Sequence, residues 1–190
     1  EAVDGDLMVM QTIRIIDRLW RQNNLHLHIQ TYSILPIPHQ QGGWLQFVPS
    51  VSLSAILRDH GNSLLPFLLT PENAERYVKS CAGYCVISFL LGVGDRHLEN
   101  LLLTTDGRLF HVDYAFLFGA DPKPFPPPMK LCREMVEAMG GGQGSPEFRR
   151  FKRLCLHAYQ IVRLNGGLIL DFLAIHATLV GQPELRFVRD

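Results

Sequence analysis

The chain has 190 residues, 47% of them apolar and 19% charged, with a formal net charge of zero. That length suits one large domain or a part of something longer, with enough apolar residues for a sizeable core. The neutral balance offers no global field to recruit nucleic acid, and no run of about 18 apolar residues suggests a membrane span.

The N-terminus, Glu1-Ala-Val-Asp-Gly-Asp6, has no basic stretch of the kind that opens a signal peptide and no initiating Met, so the chain reads as a portion of a longer protein. From Asp6 to Asn24 the pattern predicts an amphipathic helix. Leu7, Met10, Ile13, Ile16, Leu19 and Trp20 lie on its apolar side, and Asp6 is placed to cap it. Residues 25–37 alternate apolar and polar, with Leu25, Leu27, Ile29, Tyr32 and Ile34 on one side. They predict a strand paired with Trp44–Val48 across the turn His39-Gln-Gln-Gly-Gly43. Ser50–Asp59 reads as a short helix after Pro49. A long helix is expected from Glu72 to about Leu91, with Pro71 suited to its first turn. Gly92 and Gly94 end it.

Leu101–Leu103 and Leu109–Val112 predict a hairpin turned at Asp106-Gly107. The stretch from Tyr114 to Pro128 holds five prolines, which exclude a regular helix. Leu131–Ala138, Pro146–Leu164 and Leu168–Val180 read as helices, separated by Gly140-Gly-Gly142 and Gly166-Gly167. The sum is an α+β chain, mostly helical with a small β component. The four cysteines read as free buried thiols in a reducing compartment, since Cys81 and Cys85 lack two further zinc ligands close by.

The chemistry concentrates between Gly94 and Tyr114. Asp95, Arg96, His97 and Asn100 crowd a short loop after an apolar helix, and Asp113 ends the hairpin that follows. A hairpin brings its ends together, so Asn100 and Asp113 are expected to face one another and to hold magnesium through hard oxygen ligands. Asp95 or His97 is then placed to take a proton from a substrate hydroxyl. Asp95 and Asn100 show the Asp-x4-Asn spacing of kinase catalytic loops, and Asp113 supplies the distal acid. Arg96 is expected to pair with an acid or a backbone carbonyl rather than with phosphate. His111 is expected to face away from the metal side. Trp44–Val48 followed by Pro49 reads as a hinge between lobes, whose backbone at Phe47 and Val48 can bind a flat base such as adenine. Leu102 and Val112 are the expected apolar surface beneath that base.

The order Asp-Arg-His-x-x-Asn resembles the phosphatidylinositol 3-kinase and related lipid-kinase superfamily. Longer stretches narrow the resemblance: Tyr77-Val-Lys-Ser-Cys-Ala-Gly-Tyr-Cys-Val-Ile87, Leu91–Thr104, and Asp121-Pro-Lys-Pro-Phe-Pro-Pro-Pro-Met-Lys-Leu131. With Glu134-Met-Val-Glu137 and Met139-Gly-Gly141 they resemble the class III phosphatidylinositol 3-kinases from about Asp4 to Leu170. The resemblance implies a protein-kinase-like lipid kinase fold and ATP with magnesium or manganese. The implied reaction is phosphoryl transfer to the 3-hydroxyl of phosphatidylinositol in a membrane. It implies partners too, a regulatory protein-kinase-like subunit and an autophagy adaptor, and a cytoplasmic enzyme peripheral on endosomal and autophagic membranes.

On this template residues 1–48 are the end of the N-lobe and residues 49–190 the helical C-lobe. The catalytic loop is 94–100 and the activation loop 113–130, where Lys123 and Lys130 are the cations for the lipid headgroup. So few cations suit an unphosphorylated headgroup. The phosphate-covering loop, the nucleotide lysine and the terminal membrane helix fall outside the chain, so the 190 residues alone are expected to be nearly inactive. Asp6 is the expected partner of that lysine. Asp113-Tyr-Ala115 stands where the family has Asp-Phe-Gly, and Gly119-Ala-Asp-Pro122 where it has Gly-Arg-Asp-Pro. Alanine lacks the φ freedom of glycine, so the loop is expected to be held differently there. The alternative reading is a non-catalytic relative serving as a membrane or partner-binding module.

Overall fold

The computed structural model describes residues 4–37, 42–125 and 127–180. Helix α1 spans Asp4–Gln22 and buries Met10, Ile13, Ile16, Leu19 and Trp20 against the later helices. The Trp20 indole donates to the Ala158 carbonyl at 3.0 Å, which satisfies its polar edge inside the core. Asn24, at φ 58, takes the left-handed conformation that stops the helix.

The strand expected over residues 25–37 is mostly absent. Leu25, Leu27, Ile29 and Tyr32 are buried as the alternation predicts, yet only β1 (Ile34–Pro36) pairs, antiparallel to β2 (Gly43–Leu45). The earlier residues pack on helices instead of on a partner strand, and His28 at φ 52 breaks the extended run. Side chains take over some of the backbone bonding, as where the Tyr84 hydroxyl donates to the Gln30 carbonyl. Gly83 permits this close approach: a Cβ there would stand 2.3 Å from Ile29 Cδ1. Most of the turn expected at 39–43 lies outside the described residues.

Ser50–Ser52 is not the start of a helix. It forms β3, the first strand of a three-stranded antiparallel sheet ordered β3-β4-β5, with β4 at Leu101–Thr104 and β5 at Leu109–His111. Helix α2 (Leu53–Asp59) begins directly after it, capped by the Ser52 hydroxyl, which accepts from the Ala55 amide at 3.2 Å. Helix α3 (Pro71–Leu90) has Pro71 in its first turn and Thr70 as its cap. Helix α4 is confined to Arg133–Glu137, shorter than expected. Helix α5 (Pro146–Leu164) has the expected bounds and is capped by Ser145. Gly166-Gly167 does not break the next helix but opens it: α6 spans Gly166–Val180 and leaves α5 at 70°.

Two apolar cores result. The first joins α1, residues 25–32, the C-terminal half of α3, and parts of α5 and α6. The second joins α2, the N-terminal half of α3, the β4–β5 hairpin, α4 and the start of α5. All four cysteines are free thiols, with Cys81 and Cys85 buried. No single helix among the described residues is long and apolar enough to cross a membrane.

Candidate active site

The loop that follows α3 is held against the chain emerging from β5. Leu101 pairs with His111, and the ladder continues one step as Val112 donates its amide to the Asn100 carbonyl at 3.1 Å. Val112, rather than Asp113, therefore stands opposite Asn100. Asp113 is the next residue, where φ 61 turns the chain out of the strand. Asn100 and Asp113 end the same hairpin, diagonal to one another.

Arg96 fastens this arrangement. Only 8% exposed, it donates from Nε to the Gly94 carbonyl and from Nη1 to the Val112 carbonyl, both at 2.8 Å. Its Nη2 donates to the Asp113 carbonyl. The guanidinium also lies 5.4 Å from the centroid of the Tyr114 ring. Backbone carbonyls are thus its partners, as expected, and one planar cation ties the loop to the Val112–Asp113 segment. Burial lowers the Arg96 pKa while Tyr114, Asp113, Asp95 and Asp6 act to raise it.

The residue after Asp113 is anchored from several sides. Tyr114 is buried, its hydroxyl donates to the His111 carbonyl at 3.1 Å, and its amide donates to Asp6 Oδ1 at 3.1 Å. The other Asp6 oxygen accepts from the Tyr32 hydroxyl at 3.3 Å. Burial raises the Asp6 pKa despite these bonds, and the neighbouring charge of Asp113 adds to the rise. Ala115 donates its amide to Asp113 Oδ1 at 3.2 Å. Left-handed φ values fall on Asp113, Phe118 and Gly119 and not on Ala115, so alanine sits there without strain.

Asp95 is itself left-handed, at φ 46. Its carboxylate lies 3.9 Å from His97 Nε2 and 3.6 Å from Lys123 Nζ. The first distance is too long for a hydrogen bond but brings Asp95 and His97 to one place. His111 is buried behind the site, its Nδ1 3.2 Å from the Ser88 hydroxyl and its ring centroid 4.8 Å from that of Tyr84. Burial holds that imidazole well below its ordinary pKa and hence neutral.

Segment 116–121 lies along the loop: Gly94 donates to Phe116, Phe118 to Leu91 and Gly119 to Gly92. The approach is close enough that a Cβ on Gly94 would meet the Ala120 carbonyl oxygen at 2.1 Å. Lys123 and Lys130 join Val93, Arg96, Asp121 and Pro127 around a cleft of about 210 Å³. Val48, Leu102 and Val112 are half-buried against the first core, while the Phe47 side chain is 83% exposed. The β3–β4 pairing ties the residues that follow Phe47 and Val48 to the β4–β5 hairpin. Asp121 stands in two stretches of the resemblance, Asp121–Leu131 and Gly119-Ala-Asp-Pro122, with no role assigned to it from sequence.

The donor set fits a hard divalent cation. The Asn100 Nδ2 donates to the Asp95 carbonyl at 3.4 Å, which leaves Oδ1 as the end of that side chain able to bind a metal. Asp113 supplies a carboxylate. Among the described residues no cluster of three His, Cys, Asp or Glu offers a rival metal site.

Comparisons with known proteins point to one family. The family described as "Phosphatidylinositol 3- and 4-kinase" matches residues 70–186. "Phosphatidylinositol 3-kinase VPS34" of Arabidopsis thaliana is 50% identical over 183 residues, 90% of this chain and 22% of that protein. The Saccharomyces cerevisiae protein of the same name is 42% identical over 192 residues, 95% of this chain and 22% of that protein. "Phosphatidylinositol 3-kinase catalytic subunit type 3" of Caenorhabditis elegans is 39% identical over 195 residues, 95% of this chain and 21% of that protein. The chain thus spans about a fifth of the length of these relatives. With the family matched over more than half of the chain, this α+β chain belongs to the phosphatidylinositol 3- and 4-kinase family.

Proposed function

We propose that the chain is the catalytic segment of a phosphatidylinositol 3-kinase, which moves the γ-phosphoryl group of ATP to the 3-hydroxyl of phosphatidylinositol. The observation that carries the reading is the Arg96 clamp, which holds loop 94–100 and Asp113 as one unit. The printed names of the relatives supply the lipid as acceptor.

In this reading residues 1–48 are the end of the nucleotide lobe, 49–190 the helical lobe, and 113–130 the activation loop. Asn100 and Asp113 hold magnesium or manganese, which when bound neutralises charge on the phosphates. Asp95 or His97 accepts the proton of the inositol hydroxyl. The new O–P bond forms as the bond to the β-phosphate oxygen breaks, and ADP leaves. Backbone at Phe47 and Val48 receives the adenine edge, with Leu102 and Val112 beneath the ring. Lys123 and Lys130 face the single phosphate of an otherwise unphosphorylated headgroup. We assign the product to endosomal and autophagic membranes, with a regulatory kinase-like subunit and an autophagy adaptor as partners.

The test is lipid kinase activity of the full-length protein on phosphatidylinositol vesicles with ATP and magnesium, beside Asp113→Ala. Product phosphorylated at the 3-position, reduced at least about a thousandfold in the variant, is the expected result. A well-folded full-length protein that makes no product, or an Asp113→Ala variant as active as the native protein, overturns the reading.

A further inference from the structure

Asp95 turns into the left-handed region, which aims its amide away from the loop and toward segment 119–123. That amide donates to Asp121 Oδ2 at 2.8 Å, across 26 residues of sequence. The other Asp121 oxygen accepts the Lys123 amide, also at 2.8 Å. Lys123 then sets its ammonium 3.6 Å from Asp95 Oδ1. The three residues form a closed ring: the carboxylate of Asp121 on two amides, the ammonium of Lys123 on the carboxylate of Asp95.

The surroundings fit this arrangement. Gly94 is the residue that lets Asp121 come near, since a Cβ there would stand 2.9 Å from Asp121 Oδ2. Asp121 also borders the cleft that Arg96, Lys123 and Lys130 line. A bare carboxylate beside an anion site would repel its ligand. Here both oxygens are committed to amide donors, and those two bonds hold its pKa below the ordinary carboxylate value. Asp121 stays ionised at the cleft, and the two amide dipoles aimed at it offset part of its charge.

We propose that Asp121 is a positioning residue that joins the headgroup-facing segment to the catalytic loop, fixing Asp95 and Lys123 through their backbone amides. This rests on the lipid-kinase reading above. One carboxylate then sets both the direction of the Asp95 side chain and the side of the cleft on which Lys123 stands. Asparagine cannot replace it, because its one carbonyl oxygen serves a single amide and its NH2 group meets the other donor to donor.

The experiment uses the full-length protein with Asp121→Asn, Asp121→Ala, Lys123→Met, and each Asp121 change combined with Lys123→Met. Turnover with phosphatidylinositol is expected to fall about 10- to 100-fold in Asp121→Asn, in line with the cost of misplacing a reacting group. The KM for ATP stays within about twofold, because the nucleotide side is not touched. Combined with Lys123→Met, the losses are less than multiplicative, since both changes break the same ring. Independently of activity, amide hydrogen exchange at Asp95 and Lys123 rises at least about tenfold in Asp121→Asn, with α3 unchanged.

Native turnover in Asp121→Asn, multiplicative losses, or unchanged exchange at those two amides overturns the proposal. Faster exchange throughout the molecule also overturns it, because the role is then only structural. If the native protein makes no lipid product at all, the kinase reading falls first. The exchange measurement then decides the bridge by itself, and unchanged protection removes that as well.

Discussion

Replacing Arg96 with methionine keeps most of the side chain's length and removes every donor. The native guanidinium makes three hydrogen bonds to backbone carbonyls, at Gly94, Val112 and Asp113. Bonds from a charged donor are worth about 1.5–3 kcal/mol each, so the gross loss is about 4.5–9 kcal/mol. Against this stands the cost of burying the cation, several kcal/mol for an ion as enclosed as Arg96. The net loss expected is about 3 kcal/mol. In a chain of 190 residues that lowers the midpoint of thermal unfolding by about 6–12 °C. Lysine, with one compact ammonium, reaches only part of the carbonyl set, so Arg96→Lys is expected to recover at most about half the loss. Urea unfolding followed by circular dichroism measures both variants on one scale. A free energy for Arg96→Met within about 0.5 kcal/mol of native would refute the reasoning, because three charge-assisted bonds cannot vanish unnoticed unless they were not formed.

Two further outcomes concern pH. The Asp6 carboxyl has a raised pKa in the folded protein, so its stabilising contribution is complete below the unfolded value of 3.8 and is lost as pH rises through the folded value. Ionised Asp6 is thus a net cost near neutrality, and Asp6→Asn is expected to unfold later than native at pH 7 and to lose that advantage toward pH 3. An earlier midpoint at pH 7 would count against burial as the dominant cause. His111 has the opposite sense: its folded pKa is depressed, so its contribution is complete above the unfolded value of 6.5 and falls away as pH drops below it. His111→Phe is expected to flatten the acid side of the stability curve by up to about 1.4 kcal/mol per pH unit between pH 6.5 and 5.5. His28 is depressed too, so the comparison lies in the slopes of variant and native. Equal slopes would contradict the burial of a neutral imidazole.

Much of this was legible in the residues. Pro71 and Pro146 carry their own backbone chemistry, and the helices begin at those residues. Asp106-Gly107 likewise announces its hairpin. The strand at 25–37 failed because alternation records which side chains are buried, not what buries them. Leu27 and Ile29 are enclosed by helices and never needed a ladder. Ser50–Ser52 failed for the converse reason, since three residues gain strand character only from a partner 50 positions away. Within the site, the gathering of Asp95, His97, Asn100 and Asp113 was readable because a hairpin brings its two ends together. The register that sets Val112 opposite Asn100 and the reach of Asp121 to the Asp95 amide are long-range geometry, and no local pattern encodes them.

Helix α3 belongs to both cores at once. Tyr84, Val86 and Ile87 anchor its end in one, Tyr77, Val78 and Cys81 anchor its beginning in the other, and Leu154 and Cys155 of α5 touch both. The helix is packed from Tyr77 to Ile87, and loop 94–100 follows its end. Any displacement of one core against the other is carried by this helix to the loop that follows it, residues 94–100.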